Sequence, residues 1–270
     1  MMPNYDKLSL VVSLIVLCLA LSLIIELPAT AFSFVVLGSP LTIRFSQNWP
    51  LALLLASMAC IGTESIIRLH PLSQEGKLPY TFVFWILPGL ATLLAAILLP
   101  QAPDRIYTLA GLATMGILLL LIITAEYCTV DPAAPGYKAA QLGLNFVAYL
   151  VALVLFGLIH GSEANELPSA LAALAGSSLL ALDLLHGAQQ GLGRTSLYAV
   201  IVGLIMGEIV WALSYSNINS STAGIFLVLT FYLITGLSRQ ALIGLLSRRI
   251  LIEFAVVALI GLALLLKYAP

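Results

Sequence analysis

Four kinds of residue in this chain could do chemistry at membrane depth, and most of them are carboxylates. Glu208 follows Gly203-Leu-Ile-Met-Gly207 inside a long apolar run. Counted from Leu197, it lies roughly 17 Å along its helix, near a bilayer midplane. A carboxyl there is costly to insert and needs a proton or a hydrogen-bond partner. That makes Glu208 the candidate coupling group of a proton- or cation-linked transporter. Glu64 and Arg68 stand four residues apart, acid first, in Gly62-Thr-Glu-Ser-Ile-Ile-Arg-Leu-His-Pro71. This order favours an ion pair on one helix face. Asp183 and His186, at i and i+3, share another face. Glu126 closes one apolar run and Glu253 opens another. Glu64, Arg68, Glu126, Asp183, His186 and Glu253 together could form a polar vestibule, or could be separate interfacial residues reaching headgroups.

The elements that position these residues are membrane helices. Of 270 residues, 61% are hydrophobic and 9% charged. A soluble domain carries roughly 25% charged residues, so the bilayer is the expected solvent and main partner. The net charge of −1 gives no reason to expect nucleic acid. Cys18, Cys60 and Cys128 are scattered, which argues against a disulfide framework or a zinc site. No cofactor is called for.

A helix needs about 20 apolar residues to span the hydrocarbon. By that rule the fold class is an all-α polytopic bundle of nine spans in one membrane domain, residues 1–270. The spans fall at 8–27, 49–69, 80–99, 107–128, 139–160, 169–186, 197–215, 222–237 and 250–267. The first run is too long for a signal-peptide core and is read as an uncleaved span. With the N-terminus inside, eight of the eleven Lys and Arg residues fall on the inner side. The positive-inside rule then places the N-terminus in the cytoplasm and the C-terminus outside, in a bacterial inner membrane. Trp49, Tyr80, Tyr107 and Tyr215 fall at span ends, where aromatic anchors belong.

Three features break the monotony. Residues 32–46 alternate around Gly38-Ser39 and predict a small β-hairpin on the outer surface; a pair of re-entrant half-helices is the competing reading. Pro88-Gly89 should kink the third span. Residues 238–249, bounded by Arg239 and Arg249, read as an amphipathic connector on the cytoplasmic face. Either the hairpin or the connector could dock a protein partner.

Enzyme signatures are incomplete. Glu64-Ser-Ile-Ile-Arg68 and Phe156-Gly-Leu-Ile-His160 resemble the Glu-Glu-x-x-x-Arg and Phe-x-x-x-His motifs of the intramembrane prenyl-protease family. That resemblance implies Glu64 and His160 beside a catalytic centre acting on a prenylated substrate. Position 63 is Thr where the family has a second Glu, and no His-x-x-x-Asn follows. Ala175-Gly-Ser-Ser178 is similar to an intramembrane serine-protease site, but small residues in a helix more simply mean close packing. His160-Gly-Ser-Glu-Ala-Asn-Glu166 reads as a solvated turn. The sequence therefore favours a small-solute or ion-coupled transporter. A non-catalytic subunit or scaffold is the alternative, and an intramembrane enzyme acting on lipid the second.

Overall fold

Asn4 starts the first helix. Its Oδ1 accepts from the Asp6 and Lys7 amides at 3.2 and 3.4 Å, satisfying donors that a helix start leaves open. Helix α1 (Tyr5–Ser22) follows. In the computed structural model the chain is described at residues 4–25, 30–36, 39–45, 49–76, 78, 80–161, 166–187, 191–215, 220–244, 248 and 252–256. Strands β1 (Thr30–Val36) and β2 (Ser39–Phe45) pair antiparallel, from Thr30 opposite Phe45 to Val36 opposite Ser39. Helices α2 (Trp49–Ile67) and α3 (Pro71–Gln74) come next. A 3-10 turn, Phe82–Trp85, leads into α4 (Ile86–Leu98). Then come α5 (Arg105–Thr129), α6 (Tyr137–Gly161), α7 (Glu166–His186), α8 (Leu192–Ser214) and α9 (Ser220–Ile243).

Eight stretches are long and apolar enough to cross a membrane: α1, α2, residues 82–101 around α4, and α5 to α9. The expected ninth span lies outside the described residues except for 252–256. The chain divides into two compact units, Met1–Val147 and Ala148–Pro270, with the division inside α6.

In the first unit, Leu8, Val12, Ile15 and Leu19 are buried at four- and three-residue intervals along α1. That spacing makes one stripe of a helix, and α1 packs on α2 and α5. Pro88 does not kink a helix midway. It is the third residue of α4, within the first turn, where a missing N–H costs no hydrogen bond. The irregularity expected there is taken up ahead of it, by the 3-10 turn.

In the second unit α7 and α8 form the main seam. Ala173, Ser177, Leu180 and Ala181 are buried on α7, and Ala199, Val202, Met206 and Val210 on α8. Helix α9 packs on both. The expected separate connector is not what residues 238–243 form. They continue α9 without a break, to a left-handed Gly244 at φ 74°.

Candidate functional site

The most developed polar cluster is built on Glu64. Positions 56, 60 and 64 recur every four residues and so share a face of α2. That face meets α4. A Cβ on Gly89 would lie 2.7 Å from Cys60 Sγ, so a larger residue there would force the thiol to move. Farther along, the Glu64 carboxylate accepts three donors. Arg68 Nε lies 2.5 Å from Oε1, Thr81 Oγ1 2.9 Å from Oε1 and Trp85 Nε1 2.7 Å from Oε2. The Arg68 pair follows from the i, i+4 spacing. The other two donors come from the segment that opens the third span, and they tie the end of α2 to it. Thr81 and Trp85 are themselves four apart, which was the available signal. Neither residue stands out in the sequence, and that spacing alone gives no hint of a shared acceptor.

Beyond Arg68 the chain turns on His70. This side chain is buried, and its Nδ1 accepts from the Leu72 amide at 3.3 Å as the cap of α3. Its ring stands edge-on to Tyr127 of α5, centroids 4.8 Å apart. Burial pushes the His70 pKa below its ordinary value, and the Asp131 carboxylate acts in the opposite direction. Pro71 opens α3, and α2 stops at Ile67, two residues before the expected end of the second span. Glu126 of α5 is buried at 3% exposure.

In the second unit the seam is made by glycine. A Cβ on Gly203 would come within 1.9 Å of Ser178 Oγ and 2.5 Å of the Leu174 carbonyl oxygen. One on Gly207 would lie 3.1 Å from the Ala170 carbonyl oxygen. The GxxxG therefore packs as its spacing predicts, and Ser178 sits in the tight part of the contact. Asp183 and His186, at the end of α7, are both half-buried.

Glu208 is where expectation and structure part. It is exposed, although Gly207 beside it is buried in the seam. One residue along a helix is a rotation of about 100°, which turns the carboxyl away from α7. Nor is it central. Helix α8 begins at Leu192, five residues before the expected Leu197. Glu208 therefore lies roughly 24 Å from that end and 9 Å from Ser214. Leu197, Ile201, Leu204, Trp211 and Tyr215 share its face, each at least 44% exposed. Their spacing with Glu208 is 4-3-4-3-4.

Of the other candidates, Glu253 is exposed within residues 252–256. His160 closes α6 and is half-buried, while Phe156 is fully buried. Of the turn expected over 160–166, residues 162–165 lie outside the described residues. Among the described residues no cluster of three or more His, Cys, Asp or Glu could hold a metal ion.

Fold and cluster together define a class: a multi-span helical protein whose eight apolar helices suggest a membrane location. More particularly, the family model described as "Protein of unknown function (DUF5656)" matches residues 27–267, and the chain belongs to that family. Neither the curated proteins nor the solved structures give a match.

Proposed function

We propose that the protein is a non-catalytic membrane subunit that docks a partner's transmembrane helix on the outward face of α8. The observation that carries this reading is the exposed stripe of Leu197, Ile201, Leu204, Glu208, Trp211 and Tyr215. Alternating steps of four and three describe the seam of a left-handed helix pair. Lipid would cover the apolar members without cost, but not the carboxyl. Its complement is a basic side chain at matching depth on the neighbouring helix. A coupling carboxyl for transport should instead face a polar cavity between helices, and Glu208 faces away from the seam of its own unit.

The topology read from the loop charges goes with this proposal: a bacterial inner membrane, N-terminus in the cytoplasm and, with nine spans, C-terminus outside. The paired strands then lie on the outer side, where their edges offer a second docking place.

Photo-crosslinking in native membranes tests the reading. A photoreactive residue at Leu204 should give an adduct with a second protein, and one at the buried Met206 should not. The Leu204 adduct should fall about tenfold in Glu208→Leu and survive in Glu208→Asp. Adducts with lipid alone, or only with a second copy of this chain, would overturn it. So would loss of proton-driven solute uptake in Glu208→Gln with the Leu204 adduct unchanged.

A further inference from the structure

The Glu64 cluster has a free end. Its carboxylate accepts from Arg68, Thr81 and Trp85. Arg68 spends only its Nε on that contact, and its side chain is 73% exposed. Among the described residues Glu64 is its one ion-pair partner. Among the described residues no other hydrogen bond takes up the two Nη groups. They form the end-on fork of a guanidinium whose orientation is already fixed by Glu64. A fork of this kind matches two oxygens of one phosphate group.

Position says which phosphate. Arg68 directly follows Ile67, the last residue of α2, and Thr81 directly precedes the 3-10 turn that opens the next span. Both spans end at this level, so the fork lies among headgroups rather than in hydrocarbon or in bulk water. We propose that Arg68, positioned by Glu64, binds the phosphate of an anionic phospholipid in a discrete site at the end of α2. The site differs from the general attraction of arginine to headgroups in one respect. General attraction depends on charge alone, whereas this site depends on the acid that holds the guanidinium in place.

That difference gives a test in which the two accounts predict opposite signs. The full chain in a neutral detergent is titrated with short-chain phosphatidylglycerol, and bound lipid is counted by native mass spectrometry. Trp85 fluorescence gives a second readout, since its indole donates to Glu64. Wild type should bind one lipid saturably. Arg68→Gln should weaken binding about tenfold, the usual loss for a charge-assisted hydrogen bond. Arg68→Lys keeps the charge but not the fork, and should be nearly as weak. Glu64→Gln makes the protein more positive yet should weaken binding several-fold. Tighter binding in Glu64→Gln, or wild-type binding in Arg68→Lys, would overturn the proposal. Inorganic phosphate that displaces the lipid at equal concentration would overturn the lipid assignment. Arg68 is exposed, so its variants should fold and carry the test even if Glu64→Gln does not.

Discussion

The two units join helices by different means. In the first, α2 meets the third span through one glycine contact, Gly89 on Cys60, and a carboxylate with three donors at the end. In the second, α7 meets α8 most closely at Gly203 and Gly207, with carbonyl oxygens and a serine hydroxyl close to where a side chain would begin. Within lipid, apolar surface gains nothing by moving from tails to a neighbouring helix, so packing and hydrogen bonds must hold helices together. The first seam concentrates its specific contacts near one end of α2. The second has its closest contacts within the helices, at Gly203 and Gly207. A seam of the first kind should fail locally and one of the second kind as a whole.

The largest expected effect breaks the second seam. Gly203→Val would force a side chain into Ser178 and the Leu174 carbonyl, and should destabilise the protein by about 3 kcal/mol, seen as a lower thermal midpoint in detergent. Adding Ser178→Ala should restore only part of this, because the carbonyl remains. Full rescue would mean that the hydroxyl, not backbone approach, sets the spacing.

A smaller loss, about 2 kcal/mol, is expected for Glu64→Leu, which strands the Trp85 and Thr81 donors in a half-buried setting. Trp85 emission should shift to the red while the second unit, followed by cysteine labelling along α8, stays closed. Opening of both units together would erase the contrast between local and global failure.

The smallest effect concerns His70. Its folded pKa lies below the ordinary value, so the unfolded chain takes up the proton first as pH falls. Its contribution is complete above about pH 6.5 and is lost as pH drops from there through the folded value. The thermal midpoint should fall over that range by less than either substitution costs. His70→Asn, which can still cap α3, should flatten the slope.

Much of the helical layout was legible because lipid imposes a length and an apolar composition that local sequence cannot hide. The second span was placed within two residues at its end, at Leu69 against Ile67. Polar starts were misread: Gly191, Arg194, Thr195 and Ser196 lower the hydropathy of the opening of α8, yet they are helical or cap it. That error moved Glu208 toward the midplane. The error of facing was avoidable, since Gly207 and Glu208 cannot point the same way on one helix. Glu64 with Arg68 was legible from spacing, while Thr81 and Trp85 were not. Their link to Glu64 crosses a loop, and nothing local encodes which acceptor a donor will meet.

The lengths of the helices in the first unit bear on the bilayer itself. Helix α1 has 18 residues and its neighbour α5 has 25. At 1.5 Å per residue these are roughly 27 and 37 Å, against a hydrocarbon layer of about 30 Å. Two adjacent rods of such different length cannot both match one thickness. Either α5 leans by about 37°, close to the upper limit for membrane helices, or its ends enter the headgroups while the leaflets thin beside α1. In the second case the first unit is a step in membrane thickness, and lipids with shorter tails should collect on its α1 side.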